Sequence, residues 1–284
     1  MKRKEFIATS ALLATSLAAL HPARAGNKTE TPEVKIKKLS WAGIQIECDG
    51  TTLFIDPWIS KEIWGDKWNK PVINPVSNTS VNHIAVTHIH NDHLDPKAIR
   101  MINGDKRGNI YGGSKTAGGI ASHGLYETKI AELWEPMLLS SGKMTLIAVP
   151  AVDFSGIEQV SWVIRAGDKT LFHGGDTIWH GYFHKISYGY GPFDVVFLPI
   201  NGVDFLQLKP VTHIPATLNP VQAATAAEVL RAKLVVPIHY GVNNPGVYEE
   251  FPNAEDVFIT ECKKRNLPVE VCEQGNWLAW KSNR

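Results

Sequence analysis

The segment Thr87-His88-Ile89-His90-Asn91-Asp92-His93-Leu94 puts three imidazoles and one carboxylate within six residues. Imidazole and carboxylate are the ligand types for Zn²⁺, Mn²⁺ and iron. Along an extended chain, residues two apart face the same way. His88 and His90 can therefore grip one ion together. Asp92 and His93 lie beyond, where the chain turns toward a helix, and can face a second ion. A lone histidine is usually structural, but packing does not account for four ligand-type residues this close. A hydroxide held between two cations is a strong nucleophile, because a metal lowers the pKa of bound water from about 15.7 to about 7. Two ions about 3.5–4 Å apart also stabilise the entering and leaving oxygens of a displacement. The chemistry expected is hydrolysis at a carbonyl or phosphoryl centre, with Asp92 orienting the nucleophile.

Several elements must position this cluster. A short β-branched strand, Ile84 to Thr87, runs into it, and a helix from about Pro96 to Met101 leads away. Upstream, Val34 to Leu39, Ile44 to Cys48 and Thr52 to Ile55 read as a meander, with Asp49-Gly50 as a hairpin turn. Residues 59–80 form a long loop in which Trp64 and Trp68 either lid the core or wall an active site. Tyr111–Gly113 and Ser114–Ser122 give a βα step, and strands recur at Thr145–Val149, Ser161–Arg165 and Thr170–His173. Val195 to Pro199 is apolar throughout, as a strand covered on both faces would be. Asn219, Pro220 and Gln222 make a capping-box start to a helix ending near Arg231. Leu234 to Pro237 then delivers His239. A helix at Ala254–Arg265 and strands at Val269–Val271 and Trp277–Trp280 close the chain. Antiparallel strands followed by βα units predict two packed sheets with helices outside, a four-layer αββα sandwich of the α/β class.

Composition narrows the partners. The chain has 284 residues, 44% of them apolar, ample for a packed core. Lys2, Arg3 and Lys4 precede an apolar run from Phe6 to Leu20 and a small-x-small site at Ala23-Arg24-Ala25, the grammar of a secretory signal peptide over residues 1–25. The run is shorter than the roughly 20 apolar residues a membrane span needs, so no stable membrane insertion is expected after cleavage. The expected location is periplasmic or secreted. Arg3-Lys4-Glu5-Phe6-Ile7 resembles a twin-arginine export signal with one arginine replaced by lysine. Removing 1–25 turns a formal charge of +1 into −2, which offers no electrostatic footprint for nucleic acid. Cys48, Cys262 and Cys272 are too few for a disulfide framework, with Cys262–Cys272 the one pairing to consider.

The H-x-H-x-D-H pattern after a strand resembles the signature of the metallo-β-lactamase superfamily, and further segments match in order over about residues 34–281. Trp41-Ala42-Gly43 with Leu53-Phe54-Ile55-Asp56-Pro57-Trp58 looks like the first hairpin of the L-ascorbate-6-phosphate lactonase-like and N-acylphosphatidylethanolamine phospholipase D-like branches. Gly174-Gly175-Asp176-Thr177 looks like the segment with the bridging carboxylate, and Pro237-Ile238-His239-Tyr240-Gly241 like the one with the last histidine ligand. The resemblance implies one hydrolase domain over 26–284 and two divalent ions, Zn²⁺ first, with Mn or Fe as alternatives. One position departs: relatives carry a histidine after Val149-Pro150-Ala151, where this chain has Asp153. An aspartate there shifts preference toward harder metals, or else leaves the first site weakened. With Asp153 as ligand, the first ion takes His88, His90 and Asp153, the second Asp92, His93 and His239, and Asp176 bridges. His213 or Tyr240 would assist the leaving group. His180 is a candidate pocket residue, and His173 a candidate holder of a ligand's orientation. The expected reaction is hydrolysis of a lactone or other ester in a small molecule by a metal-bridging hydroxide. Phosphodiester hydrolysis, iron oxidoreductase chemistry and a non-catalytic metal-binding protein are the alternatives.

Overall fold

The computed structural model describes residues 31–104, 109–125, 128–139 and 142–279; the expected signal segment and Trp280 lie outside them. Strands β1 (Val34–Lys38), β2 (Ile44–Cys48) and β3 (Thr51–Ile55) form the expected antiparallel meander. Asp49 and Gly50, both at positive φ (49° and 72°), close its second hairpin, the geometry of a two-residue primed turn. Strands β4 (Val81–Ala85), β5 (Ile110–Gly112) and β6 (Thr128–Ile130) extend this sheet in parallel. Helices α1 (Pro96–Asn103) and α2 (Ser114–Ser122) connect them.

The second sheet repeats the plan. Strands β7 (Pro136–Leu138), β8 (Met144–Pro150), β9 (Val160–Ala166) and β10 (Lys169–His173) pair antiparallel. Helix α3 (Tyr182–Tyr190) leads to β11 (Val195–Pro199), which lies parallel to β10. Strand β12 (Asp204–Phe205) leaves the sheet, and helix α4 (Pro220–Val229) returns the chain to β13 (Val235–Ile238) beside β11. Strand β14 (Tyr248–Glu249) pairs with β12 as a small separate ribbon, and α5 (Ala254–Lys264) follows.

Period-two alternation builds the layers. Leu146, Ala148, Trp162 and Ile164 face the first sheet and pack with Ile36, Ile44, Ile46 and Leu53. Their neighbours Ile147, Val149 and Val163 face outward onto Phe183 of α3, Ala223 of α4 and Phe258 of α5. Ile84 and Ile110 of the first sheet meet Ile99 and Ile120 of α1 and α2. The molecule is thus the αββα sandwich expected. Asn219 caps α4 with the full capping box.

Some expectations are corrected. The last two strands shrink to single bridges, Val235 with Val269 and Lys37 with Trp277. All three cysteines are free, with Cys48 and Cys262 buried, so Cys262–Cys272 is not a disulfide. Among the described residues, no helix is long and apolar enough to cross a membrane.

Candidate metal centre

The turn after β4 carries His88 to His93 to the sandwich edge, where the loops after β8, β10 and β13 bring Asp153, Asp176 and His239. Two groups of ligand-type atoms result: His88, His90, Asp153 and Asp176, and Asp92, His93 and His239. In the first, His88 Nε2 and His90 Nδ1 lie 2.8 Å apart. Asp176 Oδ2 sits 3.4 Å from the His88 nitrogen, and Asp153 Oδ2 lies 3.6 Å from His90 Nδ1. In the second, Asp92 Oδ2 lies 3.8 Å from His93 Nε2 and 3.4 Å from His239 Nε2.

The second group is fastened from behind. Asp56, fully buried, accepts the Thr87 backbone N–H at 2.8 Å and hydroxyl at 2.7 Å, and its Oδ2 meets His93 Nδ1 at 2.7 Å. A carboxylate acceptor puts the His93 proton on Nδ1 and leaves the Nε2 lone pair facing the centre. The Trp41 indole N–H donates to Asp92 Oδ2 at 3.0 Å, and its ring lies 4.3 Å from that of His239. Trp41, Asp56 and His239 all adopt positive φ, 54°, 45° and 56°. Such backbone costs about 1–3 kcal/mol per residue and persists where surrounding structure over-determines it. At Trp41 the surroundings are visible: the buried Lys38 ammonium donates to the Leu39 and Trp41 carbonyls, and His173 Nε2 donates to that of Ala42 at 2.8 Å.

The first group is held by shorter reach. Asp153 Oδ1 accepts its own turn, from Ser155 N at 2.7 Å, Ser155 Oγ at 2.5 Å and Ile157 N at 3.3 Å, which leaves Oδ2 for the centre. Asp176 follows Gly175, whose φ of 67° and whose 3.2 Å clearance between a would-be Cβ and the Thr87 side chain require glycine. His173, pushed down to about 4 by burial, accepts the Gly175 N–H at Nδ1 and so anchors this turn.

The donor set fits cations. His93 Nε2, His239 Nε2 and Asp176 Oδ1 are buried without a hydrogen-bond partner. Such a group costs about 1–3 kcal/mol unless something satisfies it. Asp176, with Oδ2 in the first group and Oδ1 unpaired, can serve both groups. The Asp176 carboxylate, with Asp153 and Asp92 beside it, raises His90 to about 8, so this spot favours positive charge.

The centre forms the floor of a pocket of about 500 Å³, onto which His90, Asp92, Asp153, Asp176 and His239 open. Two expected participants are elsewhere. His213 is three-quarters exposed, bonded to Asp204 at 2.7 Å, and does not line the pocket. Tyr240 lies under the Lys70 ammonium at 4.3 Å and packs into the outer core, away from the lining. The tyrosine at the wall is Tyr248, whose hydroxyl accepts the Asn201 Nδ2–H at 2.6 Å. His180 is buried and stacked on Phe183 at 4.1 Å, outside the lining. The two tryptophans split their roles: Trp68 is core, and Trp64 lines the pocket. Trp41 and Asp56 stand in the sequence only as parts of the matched hairpin segment, without a role, and Tyr248 carried no local signal at all. The position of Trp41 in the turn between β1 and β2, and of Asp56 directly after β3, could have flagged those two.

Residues 51–240 match the family model of the beta-lactamase superfamily domain. A UPF0173 metal-dependent hydrolase of Pyrobaculum aerophilum is 30% identical over 210 residues, 73% of this chain and 84% of that protein. Among solved structures, an isothiocyanate hydrolase from Delia radicum gut bacteria superposes with a TM-score of 0.67 at 18% identity, covering 87% of this chain and 99% of that one. The diiron β-hydroxylase CmlA of Streptomyces venezuelae gives 0.65 at 16% identity, over 87% of this chain and 54% of that one. These two likenesses are of fold, and a fold shared by a hydrolase and a hydroxylase does not select a reaction. The family match and the converging histidines and aspartates place the chain in the metallo-β-lactamase superfamily, among its metal-dependent hydrolases.

Proposed function

We propose that the protein is an exported, binuclear metal-dependent hydrolase of a lactone or other carboxylic ester. The observation that carries the reading is the pair of ligand groups on one pocket floor, with buried imidazole and carboxylate atoms unpaired and facing each other. His88, His90 and Asp153 would hold a first ion, Asp92, His93 and His239 a second, and Asp176 would lie between them. Zn²⁺ is the first choice, with Mn²⁺ or iron favoured by the carboxylate at Asp153. Bound divalent cations supply an acidified water and an electrophilic contact for the substrate carbonyl oxygen.

The chain's own groups do the rest. Asp92, locked by the Trp41 N–H, presents one fixed carboxylate edge to the pocket. Burial lifts Tyr248 well above its ordinary range, so its hydroxyl keeps its proton. Asn201 occupies an oxygen lone pair of that hydroxyl, leaving the O–H to donate toward a departing alkoxide, in place of His213 or Tyr240. Lys67 is the one lysine or arginine that lines the pocket among the described residues.

The test is metal content of the purified protein, then turnover of lactones, aryl esters and phosphodiesters before and after chelation. Two ions per chain and chelator-sensitive ester hydrolysis support the reading; ester hydrolysis indifferent to chelation contradicts it. Fractionation of expressing cells tests export, which rests on the residue 1–25 pattern alone.

A further inference from the structure

We propose that the acyl part of the substrate is an unbranched, medium-length apolar chain, seated on a belt of four aromatic rings above the metal-ligand floor. This deepens the ester-hydrolase reading and rests on it. The belt is continuous. Trp64 lies 5.2 Å from Tyr248, Tyr248 5.4 Å from Phe205, and Phe205 6.2 Å from Phe154, measured between ring centroids. All four line the pocket, and Val203 and Ala216 pack behind them. The belt begins at the floor, since Phe154 follows Asp153 directly, and it ends at a rim where Leu208 is 48% and Val247 42% exposed. Apolar rings left open to solvent lower their free energy by covering, at about 25 cal/mol per Å².

Charge argues against a polar tail. Above the floor, where the cations would offset the three aspartates, Lys67 is the one lysine or arginine along the walls among the described residues. An anionic substituent above the floor would give up water for apolar rings and find one fixed partner. A neutral chain meets no such cost, and specificity then comes from length. In the reaction, the oxygen of water bonds to the acyl carbon and the ester C–O bond breaks. The departing oxygen takes a proton, and the acid product carries the chain away.

The test uses metal-loaded protein and p-nitrophenyl acetate, butyrate, octanoate and dodecanoate. The expected result is a rise in kcat/KM of about threefold to fourfold per added methylene until the belt is filled. Phe205→Ala should collapse the octanoate-to-acetate ratio. Leu208→Asp, at an exposed position that leaves the core intact, should lower that ratio at its long-chain end. Calorimetric titration with 2-decanone and 2-butanone reads the same preference without turnover, with 2-decanone bound at least about tenfold more tightly. Metal-dependent hydrolysis with no chain-length trend, and equal binding of both ketones, overturns this inference and leaves the hydrolase reading standing. Tight 2-decanone binding lost in Phe205→Ala, with no ester turned over, keeps the chain site and overturns the hydrolase reading. Faster turnover of bis(p-nitrophenyl) phosphate than of octanoate contradicts both.

Discussion

The two ligand groups share one turn, His88 to His93, yet they are supported differently. Asp92, His93 and His239 are braced by residues distant in sequence: Trp41 reaches Asp92 across 51 positions and Asp56 reaches His93 across 37. Asp153 is held by its own turn at Ser155 and Ile157. His90 is more than a third exposed at its side chain, whereas His93 is sealed. The braced group is therefore the more rigid site, because moving Asp92 or His93 breaks a hydrogen bond to Trp41 or Asp56 and moving His239 breaks its ring contact with Trp41. Both groups reach the pocket, and His90 is the ligand with the most room to adjust to substrate. On the proposed reading, a centre divided this way would keep one cation fixed while the other side meets the reacting carbonyl.

The largest effects come from removing a ligand. His88→Ala and His93→Ala should each bring hydrolysis to background and each cost one equivalent of metal, measured by elemental analysis. Loss of both ions in either variant would show that the groups are not separable. Asp56→Ala should come next. It strips the His93 Nδ1–H of its acceptor inside the core, with a cost of about 1–3 kcal/mol in stability and a 10- to 100-fold weaker second metal site. Denaturant melts and metal titrations read these separately.

Trp41→Phe keeps a ring against His239 and deletes only the indole donor. The expectation is about tenfold weaker binding of one ion with little change in melting temperature; an unchanged titration would show that Asp92 needs no brace. Asp153→His places in the first group the histidine that the family resemblance implies. It should move metal preference toward Zn²⁺ over Mn²⁺ in competition assays, and no change would mean that Asp153 is not a ligand.

The smallest effect concerns the loop that carries His239. Glu250 accepts the Gly241 N–H at 2.8 Å, and burial pushes its carboxyl from 4.5 up to about 7. A raised carboxyl disfavours the folded ionised form, so the penalty is absent below pH 4.5, grows as pH rises, and is complete above about 7. Glu250→Gln should raise the melting temperature at pH 8 and leave it unchanged at pH 4, as a thermal scan would show.

Much of this was legible in the chain because the signals were local. The short β-branched run at 84–87 and the ligand spacing in 88–93 lie within a few residues, and Asn219-Pro220-x-Gln222 states its own capping chemistry. Helix α3 was not legible: its sequence, Tyr182–Tyr190, carries glycine and aromatics and has no side-chain cap. Strands β6 and β7 are three residues each, too short to show a period. The last strands read as strands by composition, but the sheet edges receive only one bridge from each. His213 and Tyr240 were placed by the order of segments, and order does not say which way a side chain points. Tyr248 enters the pocket because β14 pairs with β12, a contact between segments more than forty positions apart.

The most direct test of the central claim is a crystal structure of the metal-loaded protein with anomalous scattering measured at the metal edge. The account predicts two peaks per chain about 3.5–4 Å apart, one on His88, His90 and Asp153, the other on Asp92, His93 and His239, with Asp176 touching both. A single peak, or peaks on other side chains, would contradict it.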